Sequence, residues 1–312
     1  MQKDTFPIPL TDTTHTVHLS VLPPMTAVFC RLLALSLVRK RTLPENLRVQ
    51  KGQLRLPGFL TDPARIHRYR QVCGFFPAPA DSAIPPGYLQ TLFIGLLGRY
   101  ITSDFFPINP VGLIQTGQWF EALHPVTAGE PLDLSCTLQD MARTPKGIVT
   151  RFHLETHRKN TLVWQGISTY LTRVPAAPPS GKKDPARMLP TQLTIQVPRN
   201  TGRRYARVSG DYNPHHLFDT TARLIGFKQA MVHGMWSLSR TLAALEKPMA
   251  GVNAFSVDAA FKLPVFMPAT LSLGYEHRVA GQGQHQIDFD LRDALDRRPH
   301  LKGRLAFPGR ES

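Results

Sequence analysis

Within a chain of 312 residues, acid/base side chains and a glycine-opened helix occur together at one place, Ser209-Gly210-Asp211-Tyr212-Asn213-Pro214-His215-His216 followed by Val232-His233-Gly234-Met235. Asp211 and His216 cannot share a helix face: five steps of about 100° leave them roughly 140° apart, and Pro214 interrupts any regular helix between them. They must therefore sit on a shaped loop. Such a loop can bring a carboxylate and an imidazole to one water molecule, the minimum for adding water across an activated double bond or removing it.

Read as a unit, Tyr205 to His216, then Ala222-Arg-Leu-Ile-Gly226-Phe227, then His233-Gly234-Met235, resembles the signature of the MaoC-like, R-specific enoyl-thioester hydratase family. The resemblance covers about thirty residues, keeps residue types and spacing together, and is more specific than an isolated Asp/His pair. It implies interconversion of trans-2-enoyl and (R)-3-hydroxyacyl thioesters of coenzyme A or acyl carrier protein, with Asp211 and His216 as the catalytic pair. It also implies a double hot-dog fold of class α+β, two helix-wrapped antiparallel sheets. Gly234 opens a helix and has no side chain to obstruct a ligand, so its N–H is the expected donor to the thioester oxygen, where negative charge develops. Asn213, Ser209, Gly210, His233 and Phe227 are the expected supporting or substrate-binding residues. No cofactor and no metal are expected: His215, His216, His233 and Asp211 are metal-compatible types, but their spacing fits the common short ligand patterns poorly.

Two departures from the family pattern bear on the loop. His215 stands where an aliphatic residue is usual and places a second imidazole beside His216, and Thr220 follows Asp219 where proline is usual.

Composition bounds the alternatives. Hydrophobic residues make up 42% and charged residues 19%, ordinary for a globular chain long enough for two cores. The N-terminus lacks the order of a signal peptide, and the longest apolar stretch, Met25 to Val38, is broken by Arg31 and too short to span a bilayer; neither membrane insertion nor export is expected, and the expected location is cytoplasmic. Cys30, Cys73 and Cys136 are widely spaced and odd in number, which supports neither a disulfide framework nor a zinc site. Basic residues outnumber acidic ones 37 to 22, a net charge of +15. A surface of that sign draws polyanions, and coenzyme A phosphates or an acidic carrier protein fit the motif better than nucleic acid, for which no motif is present. The rival functions are a thioesterase or non-catalytic acyl-binding module on the same fold, and a basic protein that binds nucleic acid or a membrane surface. A homodimer is compatible with the sequence.

A Pro-, Gly- and charge-rich stretch, Pro175 to Pro185, divides the chain into an N-terminal part (1–174), a linker (175–190) and a C-terminal part (191–312). A weak repeat supports the division. Met235, Leu238, Leu242 and Leu245 follow Gly234 at helical spacing, and Leu89, Leu92, Leu96 and Tyr100 follow Pro86-Gly87 likewise, so the same central helix is expected twice. Strands are expected at Leu132–Leu138, Gly147–Glu155, Leu162–Thr172, Leu271–His277, His285–Arg292 and His300–Phe307. Asp62 and His67 repeat the offset of Asp211 and His216. Aligned on Gly74-Phe75 and Gly226-Phe227, however, His67 corresponds to Asp219, and no Asn-Pro intervenes, so the first copy is expected to be degenerate and Asp62 and His67 to be surface residues.

Overall fold

The computed structural model describes residues 5–39, 44, 46–79, 82–110, 112–173, 188–279, 283–295 and 298–309, with the backbone alone of Ser36. The N-terminal elements are β1 (Phe6–Ile8), β2 (Leu10–His18), α1 (Met25–Val38), β3 (Val49–Leu60), α2 (Pro63–Cys73), α3 (Pro86–Thr91), α4 (Ile94–Ile101), β4 (Leu113–Ala122), β5 (Pro131–Thr144), β6 (Gly147–Arg158) and β7 (Thr161–Arg173). There follow β8 (Thr191–Val197), α5 (Thr201–Ser209), a 3-10 turn (Pro214–His216), α6 (Asp219–Leu224), α7 (Gly234–Ala244), β9 (Phe255–Phe261), β10 (Ala269–Val279), β11 (His285–Asp293) and β12 (Pro299–Phe307).

The expected strands all form, most of them longer than their hydrophobic pattern. The reason is visible in β6, where Ile148, Thr150, Phe152, Leu154 and Thr156 alternate as buried positions: threonine continues the inward face where apolar residues stop. Most of the expected linker falls outside the described residues.

Two compact units result, and they do not follow chain order. One comprises residues 1–59, 92–118 and 131–186; the other comprises residues 60–91, 119–130 and 187–312. In the first unit the strands run in the order β2-β3-β5-β6-β7-β4, with β5, β6 and β7 antiparallel, β2 and β3 parallel, and β1 on β5. Helix α4 packs on β5 and on α1. Phe93 stacks on Trp164, and the Tyr100 ring meets Phe106 and Phe152 in edge contacts. In the second unit the sheet order is β9-β12-β11-β10-β8, all antiparallel, and α7 is the central helix. Burial of Met235, Trp236, Ser237, Leu238, Ser239, Thr241, Leu242 and Ala243 leaves α7 almost no solvent face.

The central helix is not written twice. The stripe Leu89, Leu92, Leu96 and Tyr100 is fully buried, yet the chain turns at Leu92-Phe93 and makes two helices, α3 and α4. Gly87, Gly95 and Gly98 weaken intrinsic helix propensity across this stretch, so tertiary packing decides its course. At Gly98 a side chain would stand 2.8 Å from Val28 of α1.

A repeat is nevertheless present inside the second unit, in a register different from the expected one. Helices α2 and α5 pack together, and each ends on a left-handed glycine, Gly74 (φ 79°) and Gly210 (φ 84°). Tyr69 and Tyr205, each five residues earlier, bring their rings to 6.0 Å. Gly74 therefore corresponds to Gly210 rather than to Gly226: Gly226 also follows a helix with a left-handed φ of 91°, but it is α2 and α5 that pack as a pair.

One glycine joins these helices to the loop that follows. A Cβ on Gly202 of α5 would lie 2.0 Å from the carbonyl oxygen of His216. Gly202→Ala should cost about 2 kcal/mol or more of stability by overpacking and displace the 3-10 turn; urea unfolding measures the first, and an unchanged midpoint would contradict it.

Candidate active site

Gly210 reverses the chain at the end of α5, and a short chain of local bonds then shapes the loop. Ser209 Oγ accepts from the Asp211 N–H at 3.1 Å, and Asp211 Oδ1 accepts from the Asn213 N–H at 3.2 Å, an Asx turn. Pro214 opens the 3-10 turn, and the His216 N–H closes it on the Asn213 carbonyl at 2.9 Å. Ser209, Gly210 and Asn213 thus shape the backbone.

His216 is 8% exposed, and its Nδ1 lies 2.8 Å from the Met231 carbonyl. A carbonyl only accepts, so Nδ1 carries the proton and Nε2 of the neutral ring is left as an acceptor. His233, the residue before α7, donates from Nε2 to the Asp211 backbone carbonyl at 2.9 Å. Its Nδ1 is buried without a hydrogen-bond partner among the described residues, an acceptor whose burial is costly unless a ligand or water meets it. The two imidazoles stack with centroids 3.6 Å apart, and Tyr205 covers His233 at 4.9 Å. One ligand atom from each of Asp211, His216 and His233 lies within 4.8 Å of the others. Such a set can hold a water, and its donor chemistry would also accept a divalent cation.

Electrostatics follow from burial. Desolvation pushes His215, His216 and His233 down to about 3; neighbouring imidazoles push further, and the Asp211 carboxylate beside His216 and the carbonyl bonded to His233 oppose without prevailing. All three rings are neutral at physiological pH. Asp211 keeps its side chain 30% exposed, with Oδ2 3.9 Å from His233 Nε2.

Gly234 is the first residue of α7, where N–H groups have no intrahelical partner. A side chain here would meet the Phe261 ring at 2.9 Å. Phe227, by contrast, lies against His215 at 5.3 Å. Sequence reasoning missed three supports: Gly202, Phe261 and Asp219. The Asp219 carboxylate accepts from the Ala230 N–H at 2.9 Å and pairs with Arg199 at 2.8 Å, tying the segment before His233 to α6. Its position at the start of a helix was the available signal.

Asp62 and His67 are surface residues. Asp62 caps α2 by accepting from the Ala64 N–H at 2.9 Å, and His67 bonds Gln71. In the corrected register Phe75 stands where Asp211 stands. The Ile84 N–H bonds the Val126 carbonyl as the Val232 N–H bonds that of Val265, which puts Pro86 opposite Gly234. Phe75, Pro86, Val126, Leu242 and Glu246 line a cavity of about 230 Å³ there. That place has neither the aspartate nor, since proline lacks an N–H, the donor.

The fold is the double hot-dog of similar solved structures, and a family model described as a MaoC-like domain matches residues 181–296. Among known proteins the chain is similar to 3-hydroxyacyl-thioester dehydratase X of Mycobacterium tuberculosis, 25% identical over 244 residues, 77% of this chain and 84% of that protein. The crystal structure of HtdX from the same organism superposes with a TM-score of 0.69 at 23% identity, covering 81% of this chain and 98% of that one. A conserved hypothetical protein of that organism with a double hot-dog fold gives a TM-score of 0.52 at 11% identity, covering 80% and 93%.

Each imidazole depressed on folding contributes stability that is present above its unfolded value of about 6.5 and lost as pH falls toward 3, at up to about 1.4 kcal/mol per pH unit. Unfolding free energy should therefore decline from pH 7 to 4, and His215→Gln should make the decline shallower; equal slopes would contradict a depressed, neutral imidazole at the partly buried His215.

Proposed function

We propose that the protein is a hydro-lyase interconverting trans-2-enoyl and (R)-3-hydroxyacyl thioesters, carried on coenzyme A or an acyl carrier protein. One observation carries the reading: the Asp211 carboxylate and the His216 imidazole lie within 4.8 Å of each other just ahead of the α7 N-terminus. One water making two hydrogen bonds of about 2.8 Å spans that separation. The match of residues 181–296 to the MaoC-like model and the similarity to a dehydratase support the same reaction class.

In hydration the water oxygen bonds to C3, one of its protons passes to the Asp211/His216 pair, and the pair returns a proton to C2. Net, H adds to C2 and OH to C3, and dehydration runs the steps backward. Because the Nδ1 proton of His216 is held by the Met231 carbonyl, Nε2 is free to accept from the water. The N–H at Gly234 would receive the thioester oxygen, whose charge grows as C3 is attacked. His233 orients Asp211 through the peptide carbonyl. An enoyl thioester is already polarised by its own carbonyl, so the reaction requires neither metal nor redox cofactor. Residues 191–312 would supply the catalytic copy and residues 1–174 the degenerate one, and the +15 charge suits a phosphate-bearing or acidic carrier.

Loss of the conjugated enoyl absorbance of trans-2-enoyl-CoA follows turnover directly. Asp211→Asn and His216→Ala should each lower kcat by about 10²-fold to 10⁴-fold in protein that still folds, His216→Ala with some loss of stability because it removes a buried, hydrogen-bonded ring; a folded variant with full turnover removes that residue from the mechanism. Gly234→Val should cripple turnover through its clash with Phe261. Prolonged chelation should leave activity intact, whereas loss restored by a divalent cation would reassign Asp211, His216 and His233 as its ligands.

A further inference from the structure

Helix α1 presents an apolar side to water. Its sequence, Met-Thr-Ala-Val-Phe-Cys-Arg-Leu-Leu-Ala-Leu-Ser-Leu-Val, holds one charge, Arg31. Val28 is buried and faces Gly98 of α4, while Ala27, Cys30, Leu33, Ala34, Leu37 and Val38 are exposed. Leu37 is 83% and Val38 75% exposed. The helix is also held in this orientation. Arg31 pairs with Asp104 at 3.1 Å, and Arg39 donates to the carbonyls of Ile101 and Ser103 at 3.0 and 2.6 Å, so α1 cannot roll its apolar side inward without breaking both anchors. A helix apolar all round is normally covered.

We propose that this side of α1 seats the protein on an anionic lipid surface, lying in the interface rather than crossing it. Charge and area select that occupant over a second copy of the chain. A body of charge +15 is drawn to an anionic leaflet and repels its own kind. Fourteen residues rise about 21 Å, so the side offers at most about 400 Å², roughly half of what each partner buries in a stable dimer. The same few apolar side chains suffice for reversible interfacial binding when electrostatic attraction assists them. Among the described residues no helix is long and apolar enough to span a bilayer, in keeping with a peripheral contact. The inference does not depend on the hydro-lyase reading.

Sedimentation of the full chain with phosphatidylcholine vesicles, with and without phosphatidylglycerol, tests it. Wild type should bind the anionic vesicles preferentially, less so at high salt. The double variant Leu37→Gln/Val38→Gln keeps the net charge and should bind about tenfold more weakly with an unchanged melting temperature. Cys30 is exposed whereas Cys73 and Cys136 are buried, so an environment-sensitive maleimide dye attached at Cys30 should shift to the blue on anionic vesicles. Failure of wild type to bind, equal binding by the double variant, or an unshifted dye overturns the proposal. So does a two-chain mass in light scattering that the double variant halves, which would make this side a self-interface.

Discussion

The hydrogen bond from His233 Nε2 to the Asp211 carbonyl is the tie on which the site depends. It joins two segments 22 residues apart, the loop after α5 and the start of α7, and it works only while His233 is oriented by its stack on His216 and by the Tyr205 ring behind it. His216 is in turn oriented by the Met231 carbonyl. Each ring spends one nitrogen on a backbone carbonyl, which sets its tautomer and leaves the other nitrogen as an acceptor. Burial then keeps the rings neutral, so the loop meets its ligand with bases rather than cations.

The surrounding elements can be understood as what this arrangement requires. Gly202 lets α5 approach the His216 carbonyl, Gly210 turns the chain out of α5, and Asp219 holds the strand-like segment leading to His233. Helix α7 is buried on nearly every side, so its N-terminus is presented rigidly rather than on a mobile loop. Residues 60–91 form a partial copy of this arrangement. It repeats the glycine-ended helix and the adjoining backbone bond, and has Phe75 and Pro86 where the second copy has Asp211 and Gly234.

Much of this was legible in the residues. The loop's contents and the position of α7 follow from Pro214, Gly234 and the spacing of Met235, Leu238 and Leu242, because proline, glycine and a buried helical stripe each permit few conformations. Strands β5, β6, β7, β10, β11 and β12 follow from alternation, whereas β4, β8 and β9 were not expected. The N-terminal sixty residues were not legible: α1 is apolar all round and carries no helical period, and the parallel pairing of β2 with β3 joins segments with no local signal. Nor was the repeat's register, since Gly74, Gly210 and Gly226 are all left-handed and only the packing of α2 on α5 shows which two correspond. The composition of the two units was hidden for a related reason. Residues 60–91 and 119–130 join the second unit through α2, α3 and their packing on α5 and α7, contacts that no linear boundary anticipates.

A crystal structure of the Asp211→Asn variant with a bound trans-2-enoyl thioester tests the central claim most directly. The account predicts the thioester oxygen at hydrogen-bond distance from the Gly234 N–H and C3 facing the gap between residue 211 and His216, with one water held there. A thioester lodged instead in the cavity lined by Phe75 and Glu246, with the Asp211 loop empty, would contradict it.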